Sequence, residues 1–156
     1  MANTRKYRPY KYYAGLTKKQ KEERYKEIQH FGSMDWKNPK AYVGFKTDAY
    51  GKPRRSSYTM KWKRMFPDAK SLEDRSKVTG VPLKYIKESY DRGLAAWRTG
   101  HRPGATPQQW GYARAASFLL CGKTHYGPDS DLVRESRKAS ASARKWFKRC
   151  HKTYKQ

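Results

Sequence analysis

The strongest constraint on what this chain can fold into is a shortage of aliphatic side chains. Leu, Ile, Val and Phe together number eighteen among 156 residues, about a tenth of the sequence and below the roughly 20% under which a highly charged chain tends to stay unfolded. Thirteen Tyr and five Trp offset that shortage, because an aromatic ring buries a large area with few torsions to freeze. The expected fold is therefore all-α: a small helical core with long basic, aromatic-rich N- and C-terminal arms. The expected division is a basic aromatic arm over 1–56, with one helix and an irregular connection, then a helical core over 57–143 and a basic tail over 144–156.

Charge narrows the function. Lys and Arg total 37 against 13 Asp and Glu, a formal net charge of +24. The excess is +13 over residues 1–78 and +11 over 79–156, so both halves repel themselves unless a polyanion neutralises them. Nucleic acid, or a structure built beside it, is the natural partner. No apolar run approaches bilayer-spanning length, and no segment offers the apolar face an interfacial helix would insert, so membrane insertion is not expected. The first twenty residues lack the apolar stretch of a secretory signal. Two cysteines, Cys121 and Cys150, are too few for a disulfide scaffold, which favours a reducing intracellular setting and a buried thiol.

Local signals place the helices. Thr17 and Gln20 have capping-box spacing before a helix that ends near Gly32, with Tyr25, Ile28 and Phe31 as its apolar stripe and KKQKEERYKE as a solvated mosaic. A short helix is expected over Ser57–Phe66, with a strand as the alternative reading. Ser71 and Asp74 start another to about Val78. Thr79-Gly80-Val81-Pro82 then turns the chain into a helix whose stripe is Leu83, Ile86, Tyr90, Leu94 and Trp97. Thr106, Pro107 and Gln109 start the next, with Trp110, Ala113, Ala116, Ser117 and Leu120 on its buried side. Asp129 or Asp131 caps a last helix running through Leu132, Val133, Ser136, Ala139 and Ala143.

Helix, glycine turn and second helix have the form of a helix-turn-helix. The exposed face of its second helix offers Lys84 and Lys87. Arg92, Arg98, Arg102 and Arg114 surround the following loop, whose helix N-terminus at Thr106 can receive a phosphate or a carboxylate; Arg114 can equally be half-buried on loop carbonyls. Arg5, Lys6, Arg8 and Lys11 alternate with tyrosines at one end, and Lys145, Lys148 and Arg149 accompany Trp146 and Phe147 at the other, so both arms can lie along phosphates.

Catalytic readings fare poorly. Gly122-Lys123-Thr124 lacks the glycine five residues upstream that a phosphate-binding loop needs. Cys121, His125, Cys150 and His151 have poor zinc spacing. Helix capping explains Asp129 and Asp131 as well as catalysis does, and His101 beside Arg102 could serve as a base with the surrounding cations holding a phosphate, but each of these residues has a simpler structural duty. The expectation is a non-enzyme without metal, cofactor or small-molecule substrate.

The run from Arg92 to Arg114, RGLAAWRTGHRPGATPQQWGYAR, together with Thr79-Gly80-Val81-Pro82, Gly122-Lys123, Asp129 and Asp131, resembles a family of small basic proteins of unknown function. That family occurs in large DNA viruses of algae and amoebae and in some tailed phages. The resemblance covers roughly residues 78–131. It implies a viral gene product with no established chemistry and favours virion- or genome-associated roles. Taken with the basic, aromatic arms, the expected function is a minor capsid or cement-like protein bridging larger capsid proteins and touching packaged DNA, located in the virion and, before assembly, in the host cytoplasm or nucleus. The alternative is a viral nucleic-acid-binding protein built on the helix-turn-helix-like element. A ribosome-associated protein matches in composition alone.

Overall fold

Every regular element among the described residues is helical. The computed structural model describes residues 6–7, 9–52 and 55–153, so Arg5 and Arg8 lie outside it. The helices are α1 (Lys18–Gly32), α2 (Ser57–Met65), α3 (Leu72–Thr79), α4 (Leu83–Arg98), α5 (Pro107–Leu119), α6 (Lys123–Tyr126), α7 (Ser130–Ala139) and α8 (Ala141–Thr153), with 3-10 turns at Tyr10–Tyr12, Pro39–Tyr42 and Lys46–Tyr50. The anticipated caps form. Thr17 and Gln20 close a reciprocal capping box on α1, Ser71 accepts from the Asp74 amide at the start of α3, and Thr106 and Gln109 exchange bonds at the start of α5. Each satisfies amide groups that a helix start leaves without partners.

The chain forms two compact units, Met1–Arg54 with Leu94–Trp110, and Arg55–Gly93 with Gly111–Gln156. This differs from the contiguous division expected from composition, because α4 and α5 each contribute to both units. In the first unit, residues expected in an arm make a core of their own. Tyr13, Leu16, Ala41 and Phe45 are buried with Trp97 and Ala105. Phe45 stacks on Phe31 and leans on Trp97, while the Trp97 indole donates to the Ala105 carbonyl. Gly100 holds φ +138°, and a Cβ there would lie 2.7 Å from the Tyr12 ring, so both its conformation and its contact require glycine.

In the second unit Trp62, Val81, Ile86, Phe118, Leu119, Leu120, Leu132, Ala143, Trp146 and Phe147 form the core. On α5 and just past its end the expected Ala116, Ser117 and Leu120 are buried, together with Ala115, whereas Trp110 and Ala113 are only half-buried; a Cβ on Gly111 would lie 2.5 Å from the Tyr90 ring. Three details depart from the sequence reading. The last helix breaks at Ser140, whose backbone is extended and whose hydroxyl caps the next helix by accepting from Ala143 N. Residues 141–153, expected mostly as a tail, form α8, because Ala143, Trp146, Phe147 and Cys150 recur at helical spacing and reach the core. Cys121 and Cys150, expected as thiols, form a disulfide that staples the end of α5 to α8. Long arms are therefore not seen among residues 9–52 or 144–153.

Candidate nucleic-acid interface

Two buried ionic clusters account for several of the candidate residues. In the first unit Arg24, part of the expected solvated mosaic, is fully buried. Its guanidinium donates to the Thr47 hydroxyl at 2.7 Å, to Asp48 at 3.0 Å and to the carbonyls of Tyr12 and His101. Burial pulls its pKa down, partly countered by Asp48. His101 is also fully buried, flat against the Trp97 ring with centroids 4.2 Å apart. Its Nδ1 faces the Trp97 carbonyl at 2.9 Å and its Nε2 faces both Asp48 oxygens at 2.8 and 2.9 Å. Both ring nitrogens thus face oxygen atoms, which fixes the ring's orientation between the Trp97 carbonyl and Asp48. Burial alone would raise the Asp48 carboxyl, but the His101 hydrogen bond and charge, the Gly104 amide and Arg24 outweigh it and hold it below its ordinary value.

The same cluster answers what sits before α5. The Gly104 amide donates to Asp48 at 3.1 Å and the Thr106 amide to Gln109 at 2.9 Å. The anion received by this loop is the protein's own carboxylate. His101 is committed to holding it, and sequence reasoning missed this because Asp48 lies 53 residues upstream.

In the second unit the centre is Asp129, which is fully buried and makes no side-chain cap to α7. It accepts from the Ser89 hydroxyl at 2.7 Å, from Arg92 at 3.2 Å, and from Nε and Nη2 of Arg114 at 3.2 and 2.9 Å. Arg92 also grips Asp131 through both terminal nitrogens at 2.9 and 2.8 Å. That pairing raises the Arg92 pKa and lowers the Asp131 carboxyl to about 2. Arg114 thus bonds a carboxylate rather than loop carbonyls. A bidentate arginine fork on a carboxylate is the stronger and more directional contact.

The remaining candidates stand apart. Arg98 donates to the Gly32 carbonyl at the end of α1, and Arg102 is exposed in the loop. Lys6 pairs with Glu22 at 2.9 Å and lies over the Tyr25 ring; Lys11 lies over its neighbour Tyr12. The turn between α3 and α4 is the tight one expected, with Gly80 at φ +76°. A Cβ there would lie 2.3 Å from that of Ser142. Lys84 and Lys87 are exposed on α4, but Glu88 is exposed beside them, 3.4 Å from Arg92.

A denser array lies on α7 and α8. Arg134, Arg137 and Lys138 are exposed on the first; Arg144, Lys145, Lys148 and Arg149 are exposed on the second. Arg144 reaches back to the Arg137 carbonyl at 2.6 Å, placing a cation on the last turn of α7, where the helix dipole favours one. Among the described residues the two helices carry two acidic side chains that reach solvent: Glu135, 3.7 Å from Lys138, and Asp131, half-exposed and gripped by Arg92 at the start of α7. The α8 cations were legible as composition; the packing of α8 against α7, with Arg144 bonded to the Arg137 carbonyl, was not.

The model of a family of unknown function, DUF5824, matches residues 9–135. The chain belongs to DUF5824. Both buried clusters fall inside the DUF5824 match, whereas α8 and Cys150 lie beyond its end. No curated protein and no solved structure matches the chain. Among the described residues no helix is long and apolar enough to cross a membrane, and no group of His, Cys, Asp or Glu is placed to hold a metal ion.

Proposed function

We propose that this DUF5824 chain is a non-enzymatic structural protein that binds nucleic-acid phosphates on the outer face of α7 and α8. The observation that carries this reading is the array of seven exposed cations on two packed helices, set against Glu135 and the Arg92-paired Asp131 as their only solvent-reaching carboxylates among the described residues. Arginine and lysine heads on such a face neutralise phosphates and release counterions, which supplies affinity without sequence readout. Arg92 and Arg114 support it from within, because their carboxylate partners fix the start of α7.

In the viral setting that the resemblance implies, the polyanion is packaged DNA and the place is the virion. A second reading, a capsid component that also bridges larger shell proteins, is favoured by the exposed Trp36, Val43 and Tyr50 of the first unit.

Fluorescence anisotropy of a labelled nucleic acid at stepped salt tests the main reading. Binding should weaken linearly on a logarithmic plot, and K145E/K148E should bind more weakly than K84E/K87E. Equal losses from the two variants, or no binding at low salt, would refute it.

A further inference from the structure

We infer that the α7–α8 face takes double-stranded nucleic acid in preference to single strands, and takes it without reading sequence. The inference rests on the nucleic-acid reading above and adds the substrate class.

Charge spacing is the first argument. Arg144, Lys145, Lys148 and Arg149 occupy five helical steps, about 7.5 Å of axis at about 1.5 Å per residue. A duplex presents one phosphate per roughly 1.7 Å of its axis, counting both strands, so about four phosphates fall within that length; one strand presents about two. Four cations are thus matched by a duplex and half used by a single strand. Arg134, Arg137 and Lys138 on α7 repeat the density, with three cations over four steps.

The second argument is what the face does with its rings. Proteins that hold single strands combine a basic groove with exposed aromatic side chains on which bases stack. The two rings that α8 contributes among its described side chains, Trp146 and Phe147, are turned into the core at 2% and 0% exposure. The Trp146 indole is further committed to the Leu119 carbonyl at 2.7 Å. The exposed positions between the cations hold Ala139, Ala141 and Ser142, small residues that let a backbone approach but offer no stacking platform.

Rigidity is the third. α8 is held along one side by Ala143, Trp146, Phe147 and Cys150, by the disulfide to Cys121, and at its start by Ser140, whose hydroxyl donates to the Gly80 carbonyl. A fixed array suits a stiff polyanion of regular spacing. Asn and Gln, which pair with adenine edges, are absent from the exposed positions of α7 and from the described side chains of α8.

The experiment compares a 24-base-pair duplex, a second duplex of shuffled sequence and the 24-nucleotide single strand, by anisotropy across salt concentrations with the full chain. The duplex should bind about tenfold more tightly at about 0.1 M salt, with a slope of log affinity against log salt reaching about −6 if all seven cations engage, against about −2.5 for the strand. K145E/K148E should flatten the duplex slope by about 1.8 and the single-strand slope by under 1; K145Q/K148Q, checked with it for an unchanged melting temperature, should flatten it in the same sense. The two duplexes should agree within twofold. Single-strand binding as tight as duplex binding, or a tenfold effect of shuffling, would overturn this inference and leave phosphate binding on this face standing, whereas duplex slopes unmoved by both variants would overturn both readings. Failure of all three probes to bind would overturn both.

Discussion

Replacing Asp129 separates buried ion pairing from exposed pairing within one cluster. In D129A the Arg114 guanidinium, 17% exposed, loses both of its hydrogen bonds to the carboxylate. Removing one partner of a buried pair costs about 3–5 kcal/mol because a desolvated charge is left unpaired. The low end applies here, since Arg92 keeps Asp131 and the Pro128 carbonyl. The Ser89 hydroxyl, on a fully buried residue, loses its acceptor as well, adding about 1 kcal/mol. The sum, about 4 kcal/mol, corresponds to a fall in melting temperature of roughly 8–16 °C for a chain of this size. D131A makes the contrast: that carboxylate is 47% exposed, and such pairs contribute about 0–1 kcal/mol. D129N should resemble D129A, because its amide NH2 would point at a guanidinium. Urea unfolding of the three variants, followed by tryptophan fluorescence, measures the difference. In the double variant D129A/R114A the stranded charge is gone, so the loss should be smaller than the sum of the single losses. A D129A loss under about 1 kcal/mol, or one equal to that of D131A, would refute the account of the cluster.

Three further outcomes follow from other parts of the fold. C121A/C150A removes a link between residues separated by 29 positions, worth about 3.6 kcal/mol of denatured-state entropy on the chain-entropy scale; the urea midpoint should fall, and reductant should lower the parent midpoint but not the variant's. H101F keeps a ring against Trp97 but loses the ring nitrogens that face Asp48 and the Trp97 carbonyl, so it should cost about 2–4 kcal/mol by leaving the partly buried carboxylate short of partners. Asp48 and Asp131 both titrate below their ordinary values in the folded protein. Their stabilisation is present in full above pH of about 4 and is lost as pH falls, through about 2 for Asp131; D131N should therefore lose less stability than the parent between pH 4 and 2 in an acid titration followed by circular dichroism.

Local chemistry made much of this fold legible. The Thr17, Ser71 and Thr106 starts are written within four residues of sequence, and the α4 stripe shows one face at helical spacing, so the elements follow from short-range rules. The buried clusters are not short-range. Arg24 finds Asp48 at a separation of 24 and Arg114 finds Asp129 at 15. Periodicity weighs each side chain alone and scores a charge as solvated; only the pair is cheap to bury. α8 was missed differently. The spacing of Ala143, Trp146, Phe147 and Cys150 was present, but six Lys or Arg in the last thirteen residues made the segment read as a tail. A helix that presents half its perimeter to solvent can carry all those charges without giving up its apolar seam.

That seam gives α8 two duties in the same thirteen residues. One side closes the core of the second unit, and the other holds the cations. A polyanion lying on the outer side would act as a splint, since releasing α8 from the core would also release the ligand, and the free energy of binding adds to that of folding. The bound protein would resist proteolysis longer than the free one, with the first cleavages suppressed at the C-terminal end.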